Sequence, residues 1–203
     1  QTLLEGNSGD LDKQAREKMD RIKGNKITKP VILLSYNTAS IVAGAAETYD
    51  AIYNYLEERD VDARLNKTGS LGLISSEPLM DVQLPGKARV TFRRVYPEKV
   101  SDILDAVFNN FIPHEYVLGQ HPNDLHEPWE NITYMNELPF FQSQQRYILK
   151  NCGRIDPESI DEYIVNDGYR NFLMAIRNYT PEEVCDLIEA SELRGRGGEG
   201  YPT

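Results

Sequence analysis

The sequence predicts an α/β fold, a small sheet covered by helices, with a mostly helical segment after it. Three observations carry this expectation. Val31, Ile32, Leu33 and Leu34 form a short continuous apolar run, the pattern of a buried strand. Two further strand-like stretches, Leu79 to Leu84 and Lys87 to Val95, meet at Pro85-Gly86, where Pro presets φ and Gly tolerates φ > 0. Beyond Pro139 the pattern turns helical and stays so to Thr203.

The elements follow in chain order. From Asp10 to Lys23, Leu11, Ala15, Met19 and Ile22 recur at spacings near four, giving a helix within residues 1–28 whose apolar stripe is thin. Such a stripe suits docking against a neighbouring domain or subunit. After the first strand a helix is expected from Ile41 to Glu58, with Val42, Ala45, Ala46, Tyr49, Ile52, Tyr53 and Leu56 facing inward. Val61 to Asn66 alternates through Val61, Ala63 and Leu65, as a half-buried strand does. Pro97 opens a helix whose apolar face is Val100, Ile103, Leu104, Val107 and Phe108. The order strand, helix, strand, strand, strand, helix is the thioredoxin-like arrangement, assigned to residues 29–119.

From Ile112 to Pro139 the prolines, Gly119, His121 and His126 predict an irregular linker, centred on residues 120–138, in which Trp129 and Tyr134 pack. Helices are then expected over Pro139 to Asn151, from the Asp156 cap with Pro157 to Val165, over Tyr169 to Asn178, and from the capping box Thr180-Pro181-Glu182-Glu183 to Ser191. There is no internal repeat.

Composition narrows the function. Hydrophobic content of 40% and charged content of 27% suit a folded globular chain rather than a disordered one. A formal net charge of −10 repels phosphate backbones and anionic lipid, which argues against nucleic acid or a membrane surface as partner. No apolar run approaches the roughly 20 residues of a membrane span, so direct membrane insertion is not expected. Gln1 to Asp20 lacks the apolar centre of a secretory signal, and the absence of a starting Met suggests that residues upstream are missing. Two isolated cysteines fit a reducing, cytoplasmic setting. Cys152 is expected at a helix end and Cys185, beside Val184 and Ile188, in a core. No Cys-x-x-Cys supports thiol oxidoreductase chemistry. His114, His121 and His126, near Asp124 and Glu127, are read as solvated loop histidines rather than metal ligands.

The sharpest local signal is Leu193-Arg194-Gly195-Arg196-Gly197-Gly198-Glu199-Gly200-Tyr201-Pro202-Thr203. Four glycines in six residues let backbone N–H groups converge on an anion without a Cβ in the way, and two arginines add charge suited to phosphate. Alone, the stretch also reads as a flexible tail. Its company decides: Pro139-Phe140-Phe141, Gln145-Arg146, Leu149 to Tyr163, Gly168-Tyr169, Thr180 to Val184 and Leu193 to Gly198 occur in one order. Together, from about Pro139 to Thr203, they resemble the entry into the flavin- and NADH-binding subunit of respiratory complex I. The same segment is found in the diaphorase subunits of NAD-linked hydrogenases and formate dehydrogenases and in electron-bifurcating hydrogenases.

That resemblance implies hydride transfer from NADH to FMN, then single electrons to iron–sulfur centres in partner subunits of a larger oxidoreductase. By position, Gly195, Arg196, Gly197 and Gly198 would line FMN and Tyr201, where the family more often has Phe, would stack on NADH. Glu199 stands where the family commonly has Ala or Gly and places a carboxylate beside the dinucleotide. The family's later flavin-contacting lysine and cluster ligands are not within these 203 residues, so the expectation is of a subunit cut inside its cradle that alone binds neither FMN nor NADH tightly. In the same family a thioredoxin-like domain holds a [2Fe–2S] cluster by a Cys-x4-Cys and a Cys-x3-Cys pair. Here those positions read Ser35, Ser40, Ser70 and Ile74, so no such cluster is expected. The alternative for this half is a non-catalytic assembly module with a degenerate ferredoxin-like domain.

Overall fold

A computed structural model describes residues 13–203; Leu11 of the expected first helix lies outside them. The elements are α1 (Lys13–Ile22), β1 (Val31–Ser35), α2 (Thr38–Val42), α3 (Ala45–Glu58), β2 (Arg64–Thr68), β3 (Met80–Gln83), β4 (Val90–Phe92), α4 (Pro97–Phe108), β5 (Val117–Gln120), α5 (Pro139–Gln142), α6 (Ile160–Val165), α7 (Arg170–Asn178) and α8 (Pro181–Ala190). They fall into two compact units, residues 20–162 and residues 163–203 with described residues 13–19.

The first unit is built on a five-stranded sheet in the order β2-β1-β3-β4-β5. β1 and β2 run parallel, Val31 opposite Arg64, and the remaining pairs are antiparallel. A parallel β1–β2 pair joined by helices, followed by an antiparallel hairpin and a helix, is the thioredoxin-like topology that the element order predicted. Along each strand successive side chains take opposite faces. Ile32, Leu34, Met80, Val82, Val90 and Phe92 point to one face, where Ile52 and Leu56 of α3 and Val100, Ile103, Leu104 and Val107 of α4 complete a single apolar core. Thr48 donates to the Val95 carbonyl at 2.8 Å and Tyr55 to Asp105 at 2.7 Å, so the two helices are tied to the sheet and to each other by satisfied polar groups.

The opposite face is buried and polar, with Asp81, Gln83 and Thr91 all enclosed. Arg89 pairs with Asp81 and turns its remaining N–H groups to the carbonyls of Gly153 at 2.9 Å and Arg154 at 3.1 Å. Gly153 has φ +71°, and a Cβ there would run into Leu71. A guanidinium in the sheet thus fixes the segment after α5.

Four local expectations are corrected. The single helix from Ile41 to Glu58 is two, because Gly44 at φ +103° breaks the chain between α2 and α3. Val42 is left 85% exposed and Tyr53 is exposed as well, while Ala45, Ile52 and Leu56 are buried as expected. The stretch read as a linker carries β5 and packs on the sheet: Trp129 is buried, its indole N–H donates to the Ala88 carbonyl at 2.8 Å, and Gln120 bonds the backbone of Trp129 and Ile132. The helix from Pro139 to Asn151 ends at Gln142, and the chain goes on in turns, with the Gln144 N–H on the Phe141 carbonyl at 3.0 Å and the Cys152 N–H on the Leu149 carbonyl at 3.1 Å. Asp156 caps an Asx turn to Glu158 at 2.9 Å, and the helix starts only at Ile160.

In the second unit α7 and α8 match the sequence reading. Thr180 and Glu183 form the reciprocal box, 3.2 Å and 2.8 Å. Neither helix has a buried residue.

Candidate functional site

The four positions expected to have lost a cluster lie where strand ends and loops of the first unit place them. Ser35 closes β1, Ser40 lies in α2, and Ser70 and Ile74 follow β2. The Ser35 hydroxyl donates to the buried Glu77 carboxylate and accepts the Leu79 N–H at 2.9 Å. Ser40 and Asn37 cap α2 reciprocally: the Ser40 hydroxyl donates to the Asn37 carbonyl at 2.9 Å and accepts the Asn37 N–H at 2.7 Å. Ser70 accepts the Gly72 N–H at 3.0 Å, and Ile74 is exposed. Each hydroxyl is spent on holding the backbone, and none is a thiolate. These residues do not fit an iron–sulfur cluster. Among the described residues no group of three His, Cys, Asp or Glu side chains is placed to hold a metal ion.

The glycine-rich stretch of the second unit forms a small hairpin. Gly195 N–H donates to the Tyr201 carbonyl at 2.8 Å and Thr203 N–H to Leu193 at 3.0 Å. Arg194 reaches the Gly200 carbonyl at 3.1 Å and Arg196 the Arg194 carbonyl at 2.6 Å, so both arginines brace the turn they sit on. Gly198 and Gly200 have φ of +102° and +66°, and no heavy atom lies within 4 Å of where a Cβ would stand on Gly197, Gly198 or Gly200. This leaves an open, backbone-lined face flanked by two fixed positive charges, with the Tyr201 ring 71% exposed beside it. In kind, backbone N–H groups and guanidiniums suit a phosphate.

The histidines depart from the sequence reading. His126 is buried and its Nε2 bonds the Gly24 carbonyl at 2.9 Å. His121 bonds Thr91 at 3.0 Å on the polar face of the sheet, where burial first, then the Arg89 charge, lowers its pKa to about 3. Sequence reasoning missed them because the linker itself packs, a fact that only Trp129 hinted at. Cys152 is half-buried, whereas Cys185 is exposed rather than in a core, because the side of α8 carrying Leu187 and Ile188 is open.

No protein-family model matches the chain. Among curated proteins it is similar to the NADP-reducing hydrogenase subunit HndC of Solidesulfovibrio fructosivorans, 53% identical over 62 residues, 30% of this chain and 12% of that one. It is similar also to the NADH-quinone oxidoreductase F 2 subunit of Rhizobium meliloti (strain 1021), 41% identical over 28% of this chain and 13% of the relative. The corresponding F subunit of Aquifex aeolicus (strain VF5) is 45% identical over the same shares. The chain thus spans about an eighth of the length of the curated relatives it matches. Among solved structures, a thioredoxin-like [2Fe–2S] ferredoxin from Aquifex aeolicus is similar at 14% identity and a TM-score of 0.40, covering 48% of this chain and 96% of the ferredoxin. Over the matched residues, this chain is a homologue of the F subunit of NADH-quinone oxidoreductase and of the hydrogenase subunit HndC.

Proposed function

We propose that this chain is part of an NADH-oxidising flavoprotein subunit that passes electrons from NADH through FMN to iron–sulfur centres of partner subunits, and that its glycine-rich hairpin is one wall of the flavin and dinucleotide site. The observation that carries the reading is the hairpin's open glycine face, Gly197, Gly198 and Gly200, following Arg194 and Arg196 in the same turn. In it Gly195, Arg196, Gly197 and Gly198 would hold the FMN and Tyr201 would lie against NADH. The bound flavin would supply hydride acceptance and one-electron release. The residues named here bind and orient; they hold no proton in the reaction. Their setting in a multisubunit enzyme rests on the likeness to the F and HndC subunits, and a cytoplasmic one on the two isolated cysteines.

Flavin fluorescence tests this. FMN is expected to co-purify with the full product of the gene and to be lost in Gly198→Val, whose side chain would occupy the open face at a positive φ. The 203 residues alone are expected to bind FMN more weakly than micromolar. A full product devoid of flavin sinks the reading.

A second reading concerns residues 20–162: a thioredoxin-like domain serving docking and assembly rather than electron transfer. The commitment of the Ser35, Ser40 and Ser70 hydroxyls to backbone bonds favours it. Iron analysis with electron paramagnetic resonance on the chain is its test, and a [2Fe–2S] signal overturns it.

A further inference from the structure

On the polar side of the sheet a cavity of about 150 Å³ is lined by His121, Gln144, Arg146 and Arg154, with Leu71 and Phe141 as apolar walls. It has room for about five waters at the roughly 30 Å³ each takes in the liquid. Arg146 is held in place by neutral acceptors only: the carbonyls of Leu71 at 3.1 Å and Leu149 at 3.3 Å, and the Gln144 side chain at 3.3 Å. Its guanidinium also lies over the Phe141 ring at 5.5 Å. Among the described residues neither Arg146 nor Arg154 forms a salt bridge. Arg89 lies nearby; of the buried carboxylates there, Asp81 pairs with it and Glu162 feels its charge, and neither lines the cavity.

Positive charge therefore gathers in a partly enclosed space that no carboxylate lines. Arg154 keeps an exposed edge, yet burial of its head group, then the charges of Arg89 and Arg146, hold its pKa below the usual arginine range. Two guanidiniums facing one cavity without a carboxylate between them repel each other, and an anion placed there would offset that repulsion. Arginine forks match the oxygens of a tetrahedral oxyanion, and the pre-set Arg146 loses little freedom on binding one.

We propose that Arg146 and Arg154, in the cavity they share with His121, form a binding site for a free oxyanion of the size of phosphate or sulfate. The site lies in the sheet unit and is independent of the proposed flavin wall, since it uses none of the hairpin residues.

The test is a nuclear magnetic resonance titration of the 203-residue chain with inorganic phosphate at pH 7, ionic strength held constant with chloride. Saturable shifts of the His121 ring protons and of the Arg146 and Arg154 Nε–H signals are expected, with a dissociation constant of millimolar or tighter. Because Arg146 also braces the backbone, Arg154→Met is the deciding variant. It is expected to keep the thermal midpoint of the parent in chloride and to weaken phosphate at least about tenfold, while Arg154→Lys recovers part of the loss. Shifts that track ionic strength without saturating, or phosphate binding undiminished in Arg154→Met, overturn the proposal.

Discussion

In residues 20–162, Phe92, Met80, Ile103 and Leu104 are fully enclosed, whereas in residues 163–203 Phe172 is 61% exposed and Ile176 60%. The sheet unit closes on itself. Its apolar face is covered by α3 and α4, and its polar face by side chains that find partners, such as Arg89 on Asp81 and on the backbone of Gly153 and Arg154. The helix α8 has a well-made N-terminus, yet neither it nor α7 has a core, and Val165 is the one buried hydrophobic residue described in their unit. Local signals such as a capping box are therefore sufficient to shape a helix without supplying the apolar burial that usually stabilises it. The motifs that prompted the family resemblance straddle the two: Pro139 to Glu162 lie in the unit that packs, and Gly168-Tyr169, Thr180 to Val184 and the glycine-rich stretch in the unit without a core.

The contrast can be broken or sharpened by experiment, beginning with the largest effect. Trp129→Ala removes a buried indole from the core and is expected to cost about 3–5 kcal/mol in urea unfolding, whereas Phe172→Ala, on an open helix, is expected to stay within about 0.5 kcal/mol. Equal losses would erase the distinction between the two units.

A second test uses pH. His121 titrates near 3 when folded against 6.5 when free, so its neutral form is favoured by folding. Between those values the unfolded chain binds more protons, so stability is full above 6.5 and falls as pH drops toward 3. The slope approaches about 1.4 kcal/mol per pH unit, or about 2 kcal/mol between pH 7 and 5. Denaturant midpoints at the two pH values should differ in the parent and much less in His121→Gln; parallel pH dependence in both would refute the assignment. The smallest effect belongs to the coreless unit. Thr180→Ala opens the box at the start of α8 and is expected to cost about 1 kcal/mol of local helix stability. It is read as faster amide exchange at Glu182 and Glu183, with the sheet unit's exchange unchanged.

Much of the fold was legible in advance because its signals are local. The Val31–Leu34 run, the Pro85-Gly86 turn, with the Lys87 N–H returning to the Leu84 carbonyl at 3.1 Å, and the Pro97 helix start each need only neighbouring residues to act. The misreadings share one cause. Gly44 sits in a stretch with helical spacing, the β5 segment carries too many prolines to look like a strand, and Arg146 follows a plausible helix start. In each case the outcome turned on a distant partner or on one backbone angle.

For the candidate site, the residue types of the hairpin were readable and its shape was not. Glycines and arginines at that spacing allow an anion-binding turn and equally a flexible tail. Only the folded chain shows that Arg194 and Arg196 spend N–H groups on the loop's own carbonyls. The sequence by itself determined the order of strands and helices, the absence of a thiol at Ser35, Ser40, Ser70 and Ile74, and the residue types present at Gly195 to Tyr201. Tertiary structure alone decided that His126 is buried and His121 half-buried, that Trp129 belongs to the core, and that Arg146 and Arg154 share a cavity. The physical reason is range: propensity, capping and turn chemistry act over a few residues, whereas burial and the pairing of charge depend on which distant segments the sheet brings together.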